Sequence, residues 1–462
     1  MNRATIFSKL FAVMLGYAVL GHALLCTAPA ALAQTDDQTS DQTTGETVTR
    51  TVIDNVTLLT MTADPVADSV IAQGRVVVAD GRIAAAGAAT DTPIPAGATV
   101  IDGAGGWLLP GLTEMHGHLP GTGWSRERTA ETLFLYLAGG VTTVRGMLGD
   151  PVQMRLRDEI AAGGLAGPSL YLAAPSLNGN SVSSPEDGRA QVRRHAAAGW
   201  DLLKIHPGLT RAEYDAIADE AARQGIPFAG HVPQAVGVPR ALEAGQISID
   251  HMDGYMAWLK GHARALTDAD LARAVDMTRT SGTWIVPTQA LFNMFRSGAD
   301  VAALTARPEN RYMPTDTVDT WTRTARRVTL AANPRIAENR QRLLKAMADG
   351  GVLLALGSDA PQVFSVPGFS IWREIQIMLE AGLTPAQILI AGTRAPGTYF
   401  AGKDRFGLIA RGHRADLLLV AGNPLADMGV LARPRSVMAA GRWFGRAAID
   451  TKLAAIAARH AH

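Results

Sequence analysis

Residues 107–118 read WLLPGLTEMHGH, and this stretch decides the fold. An apolar run predicts a strand over 107–116, and it delivers two histidines, His116 and His118, at its end. Spaced two apart, they present both imidazoles to the same face of an extended chain. A strand that ends on paired imidazoles is the start of a site, so the question becomes what stands beside it.

Downstream the pattern repeats. Short apolar strands are expected at 140–147, 169–174, 201–206, 227–231, 247–251, 283–287 and 353–359, each followed by a stretch of helical period. Arg211–Gln224, Asp268–Ser281 and Arg335–Asp349 are the clearest helices. Eight such alternations predict an α/β fold, a closed (β/α)8 TIM-like barrel. A doubly wound open sheet is the alternative, and the absence of a glycine-rich phosphate loop after the first strand speaks against it. Outside this region the runs are β-branched and separated by Asp-Gly and Pro-Ala-Gly turns. They fall at 51–59, 75–78, 82–86 and 99–101, and again at 416–420 and 435–444, so the two flanks are expected to meet in one small β-sandwich. The resulting division is 49–109 and 402–447 for the sandwich, 110–401 for the barrel and 448–462 for a helical tail.

The chain has 462 residues, 47% hydrophobic and 18% charged, the balance of a globular protein with a sizeable core. Lys and Arg total 43 against 42 Asp and Glu, which offers no basic field for nucleic acid or acidic lipid. At the start, Arg3 and Lys9 precede an apolar run from Leu10 to Leu25, and Ala31-Leu32-Ala33 follows. This pattern predicts a signal peptide over 1–33, cleaved on export to the periplasm or the outside. A membrane anchor would need roughly 20 apolar residues. Residues 34–48 are polar and acidic and read as a flexible linker. The one cysteine, Cys26, leaves with the signal, and its alternative role as a lipid-bearing first residue is disfavoured by Leu25 before it. The mature chain then holds no disulfide and no thiolate ligand. No membrane partner is expected after cleavage, and self-association into a homo-oligomer is left open.

The titratable residues gather at strand ends. Lys204 lies in DLLKIHPGL, His231 in FAGHVP, His251 in SIDHMDG and Asp359 in LALGSDA. Taken singly, a strand-end histidine is an ordinary satisfied polar group, and GSDA is an ordinary helix cap. Taken with His116 and His118, they place four imidazoles and a carboxylate on the carboxyl-terminal mouth of a barrel, a donor set suited to zinc or its neighbours. Lys204 cannot ligate a metal as an ammonium. It either pairs with Asp359, or is driven by burial toward the neutral amine and takes up carbon dioxide. The carbamate so formed could bridge two ions about 3.5 to 4 Å apart.

These residues, with PGLTEMHGH, GSDA, the flanking β segments and RGHRADLLLV, resemble the metal-dependent amidohydrolase superfamily over nearly the whole chain from Thr51 to Gly445. The likeness is nearest to its imidazolonepropionase-like, Xaa-Pro dipeptidase-like branch. The resemblance implies two divalent metal ions, with zinc the first choice. His116, His118 and Asp359 would hold one, His231 and His251 the other, and carbamylated Lys204 would bridge them. Imidazolonepropionases are mononuclear and lack this lysine, so Lys204 argues against that activity. The implied reaction is hydrolysis of an amide in a small molecule, a dipeptide or an N-acyl amino acid, by water activated between the ions, with Asp359 as catalytic base. Hydrolysis of a lactone or cyclic amide is the alternative on the same site, and a barrel that kept its fold but became a binding protein is the alternative of another class.

For substrate contacts the sequence offers His206, on the face of Lys204; Asn178 and Asn180, in PSLNGNSV; and Tyr255, four residues beyond His251. The connection 292–334 carries Phe292, Phe295, Tyr312, Met313 and Trp321, and reads as a lid or, with slight preference, as helices packed on the rim. Trp124 and Trp258 are further pocket candidates.

Overall fold

Alternating and continuous apolar runs have produced two kinds of sheet in the computed structural model, which describes residues 50–297, 300–329 and 333–461. The expected signal segment and linker lie outside the described residues. Strands β1 (Arg50–Leu59), β2 (Val70–Ala79), β3 (Arg82–Ala88), β4 (Thr99–Asp102) and β5 (Trp107–Pro110) come first. Seven short strands then alternate with helices: β6 (Leu112–Gly117), β7 (Val141–Gly146), β8 (Ser169–Leu172), β9 (Leu203–Ile205), β10 (Phe228–Gly230), β11 (Ser248–Asp250) and β12 (Trp284–Val286). The chain closes with β13 (Leu417–Val420), β14 (Ser436–Ala439), β15 (Arg442–Gly445) and a helix over Arg446–His460.

The two flanks do meet, through β13 lying antiparallel to β5, with Leu417 opposite Pro110 and Val420 opposite Trp107. Hydrogen bonding links them as one eight-stranded sheet. The reason is the length of β1. Its Thr51–Asp54 half pairs with β4, its Thr57–Leu58 portion pairs with β5, and β2 runs along its other edge, so one strand ties every part together. Ile53, Leu58, Val76, Ile83, Leu108, Leu417 and Met438 form its apolar core.

The strand expected over 107–116 is divided in two. Pro110 ends β5 and Gly111 turns the chain into β6; a Cβ at Gly111 would lie 2.1 Å from Thr142 Oγ1, so the crossing admits only glycine. From there the strands run parallel, β6–β7–β8 and β9–β10–β11–β12. Ala173 bridges to Leu202 and Leu177 to Ile205, which joins the two groups. At the far side Ile285 bridges to Leu354, Met115 N donates to Leu356 O at 2.9 Å, and Asp359 N donates to His116 O at 2.8 Å. The succession of backbone contacts thus returns to β6. The eighth expected strand, 353–359, makes these contacts without a regular ladder, because the chain reaches Asp359 in the left-handed region at φ 64°.

Helices start where their caps dictate. Thr210 with Glu213 and Thr267 with Asp270 form capping boxes ahead of Arg211–Gln224 and Asp268–Ser281. In the connection 292–334 Tyr312 stacks on Phe369 at 5.1 Å and Trp321 meets Phe364 edge-on at 5.8 Å. Among the described residues no helix is long and apolar enough to cross a membrane.

One close approach steadies the site from behind. Helix Arg126–Ala138 ends against Gly368, and its Tyr136 hydroxyl donates to Ala360 O at 2.6 Å, beside Asp359. Gly368 has φ 78°, and a Cβ there would lie 2.1 Å from Leu135 O. Gly368→Ala is therefore expected to cost about 2 kcal/mol or more of stability, read as a lowered urea midpoint.

Candidate metal centre

His116, His118, His231 and His251 sit at or just beyond the carboxyl ends of their strands, Lys204 lies within β9 and Asp359 on the irregular segment after Leu354, and the parallel arrangement brings the six to one place. His118 Nε2 lies 2.7 Å from Asp359 Oδ1, and His116 Nε2 lies 3.7 Å from the same oxygen. The ligand atoms of His116, His118 and Asp359 all fall within 4.8 Å of one another. That spacing fits a single ion with bonds of about 2 Å, and the donors are of the type zinc takes. Lys204 Nζ stands 3.3 Å from His116 Nε2. The His251 ring is 4.3 Å from that of His116 and 4.6 Å from that of His231, centre to centre, and its Nδ1 lies 3.8 Å from Asp359 Oδ2. His231 and His251 therefore flank the first three, with Lys204 between the groups.

The electrostatics match the neutral imidazoles that metals require. Burial, reinforced by nearby cationic groups, pushes His116 and His251 well below the ordinary histidine value. Burial also pulls the Lys204 ammonium down to about 8.

Four residues that sequence reasoning passed over hold these ligands. Asp250 Oδ2 lies 2.8 Å from His116 Nδ1. A carboxylate only accepts, so His116 carries its proton on Nδ1 and turns the Nε2 lone pair into the site. Burial alone would raise Asp250, but the Arg145 guanidinium and Lys204 hold its carboxyl below the ordinary value. Arg145 is itself fully buried, and donates to Asp250 Oδ1 at 2.9 Å, Ser248 Oγ at 2.9 Å, Tyr399 Oη at 3.0 Å and Met115 O at 2.6 Å. Glu114 Oε1 accepts from the backbone of His116 at 2.9 Å and of Ser358 at 2.8 Å, locking β6 to the segment that carries Asp359. Arg340 Nη1 donates to His251 O at 2.6 Å, where the backbone takes φ 63°. A signal was present for two of them: Glu114 and Arg145 are charges inside otherwise apolar strands, a placement that demands a buried partner.

The substrate candidates fare unevenly. His206 stacks on His231 at 5.0 Å, and its Nδ1 lies 2.7 Å from Ser176 Oγ, so it belongs to the same cluster. Asn178 is used up within its own turn, accepting from the backbone of Asn180 at 2.8 Å and Ser181 at 3.1 Å while donating to Ser176 Oγ at 2.8 Å. Asn180 is exposed. Tyr255 is a correction: it is fully buried in the core with its hydroxyl 2.6 Å from Thr278 Oγ1, because the short helix Tyr255–Trp258 turns it away toward helix Asp268–Ser281. Trp258 lies under Arg273 and Trp124 under Arg128, both stacked on cations. From the connection 292–334 it is Phe292 that reaches the site, 5.3 Å from the His251 ring and with Arg340 4.7 Å from its own ring centre.

Parallel strands that bring two histidines and an aspartate to ligand spacing, with further histidines just beyond neighbouring strands, make a candidate metal site of the kind hydrolases use. The amidohydrolase family model matches residues 107–444, and the chain belongs to that family. It is 28% identical over 398 residues to an imidazolonepropionase of Mycolicibacterium smegmatis, covering 80% of this chain and 90% of the relative. It is 25% identical over 354 residues to an enamidase of Eubacterium barkeri, covering 75% and 80%. Among solved structures, a Xaa-Pro dipeptidase with bound methionine superposes with a TM-score of 0.64 at 22% identity, covering 86% of this chain and all of the other.

Two outcomes follow from the geometry. Asp250→Asn is expected to weaken metal affinity about 10- to 100-fold, measured by competition with a chelator, because the tautomer of His116 is no longer enforced. Tyr255→Phe is expected to lose about 1 kcal/mol of stability with kcat and KM unchanged; a change in KM would restore the tyrosine to the substrate pocket.

Proposed function

We propose that this hydrolase is a binuclear metal enzyme that cleaves the amide bond of a dipeptide or an N-acyl amino acid, its parallel strands closing as a (β/α)8 barrel about the site. The observation that carries the reading is the convergence of His116, His118, Lys204, His231, His251 and Asp359, with the first pair and Asp359 at ligand spacing. Membership of a family whose enzymes act on carbon–nitrogen bonds supports the reaction class.

His116, His118 and Asp359 would hold one ion, His231 and His251 the other, and Lys204 as its carbamate would bridge them. Zinc suits these donors. Carbamylation joins the neutral amine to carbon dioxide and releases one proton. Lys204 is fully buried, which shelters the product from water. When bound, the ions supply Lewis acidity, polarising the substrate carbonyl and lowering the pKa of water. The chain's own residues do the rest. Asp359, through the carboxylate oxygen not committed to the ion, accepts the proton of the attacking water and returns it to the leaving amine. His206, with Nδ1 committed to Ser176, keeps Nε2 for the substrate carboxylate. Phe292 forms an apolar wall next to His251.

Asp359→Asn is expected to retain bound metal while kcat falls by about two to four orders of magnitude. Unchanged turnover would remove Asp359 from the proton path. A panel of dipeptides, N-acyl amino acids, cyclic amides and lactones, assayed on protein of defined metal content, identifies the substrate class. The proposal expects the linear amides to be turned over fastest; preference for lactones or cyclic amides would replace it with the ring-opening reading. Saturable binding without turnover of any of them by metal-loaded protein would favour the binding-protein reading.

A further inference from the structure

We propose a second ligand site, for a small organic carboxylate, in a cavity remote from the metal centre. The cavity has a volume of about 400 Å³ and lies between helix Val152–Ala161, the start of β8, the segment 403–414 and β15. Ser169 to Tyr171 line it, at the amino end of β8, whereas the metal ligands stand at the carboxyl ends of the neighbouring parallel strands. None of the six residues of the metal centre lines the cavity.

Charge is what distinguishes this cavity. Arg82, Arg157, Lys403, Arg414 and Arg442 line it, and Asp404 is the single carboxylate in its wall. Asp404 is shared between Arg82 at 3.0 Å and Arg414 at 2.6 Å, and Asp416 completes Arg414 at 2.7 Å. Lys403 is matched by Asp201 at 2.6 Å. Two guanidinium groups remain under-matched. Arg157 makes only long ion pairs, to Asp158 at 3.5 Å and to Asp201 at 3.6 Å, and Asp201 is held more closely by Lys403. Arg442 donates to the Leu165 carbonyl at 3.1 Å and lies 5.7 Å from the Phe444 ring centre, with no carboxylate within ion-pair distance among the described residues.

A concave wall with surplus positive charge concentrates anions. Guanidinium donors present the parallel N–H pairs that a carboxylate accepts in bidentate fashion. Ile160 and Phe444 add an apolar side, and the volume is of the size that organic ligands fill, so the anion carries a hydrocarbon group.

The test is calorimetric titration of the full chain with benzoate, benzyl alcohol and inorganic phosphate. The proposal expects saturable binding of benzoate, markedly weaker binding of the other two, and persistence of benzoate binding after the metals are removed by chelation. Arg157→Gln and Arg442→Gln, both on exposed or partly exposed side chains, are each expected to weaken benzoate by about tenfold or more, with hydrolytic turnover unchanged. Absence of benzoate binding overturns the proposal. So does equal binding of benzyl alcohol or of phosphate, loss of binding on chelation, or full binding in both variants.

Discussion

Everything at the mouth of the parallel strands depends on packing imidazoles beside a lysine without all of them carrying charge at once. Five imidazoles and one lysine amine share a space in which adjacent ring centres are 4.3 to 5.7 Å apart. Protonated together, they would repel one another in a medium that screens poorly. Desolvation pushes His116, His206 and His251 well below the ordinary histidine value, and a neutral imidazole has a lone pair to offer. The carboxylates are arranged around that requirement: Asp250 faces one edge of His116, while Asp359 faces the cluster itself. Arg145 then keeps Asp250 ionised from beneath, so a buried ion pair orients a neutral ring.

This also explains why several supporting groups act on backbone rather than on side chains. Glu114 accepts two amides, Tyr136 and Arg340 donate to carbonyls, and each of these contacts falls at or next to a residue that bears a ligand. His251 and Asp359 both have positive φ, a conformation that costs free energy for residues with a Cβ. Hydrogen bonds to the neighbouring backbone hold those turns in place.

The sequence disclosed which side chains converge because period-two spacing and strand ends are local properties. His116 and His118 are neighbours, and His231 and His251 each follow an apolar run that any reader can see. Helices with capping boxes were legible for the same reason. The pairing of Asp250 with Arg145 was not, since it spans 105 positions and leaves no spacing to read. Tyr255 misled because its distance from His251 along the chain is short while the intervening turn reverses its direction. The division of the first strand at Gly111 was hidden too, as an apolar run looks the same whether one sheet or two will claim it.

The flanking sheet has a consequence for how the molecule is made. Its strand β5 is complete early, yet the partner β13 is specified more than three hundred positions later. A ribosome will have released most of the helices before that edge finds its mate. Until then β5 presents unpaired amides and carbonyls, and a nascent chain in that condition is open to pairing with another copy of itself. The seam that joins start to finish therefore cannot form until nearly all of the chain has been made.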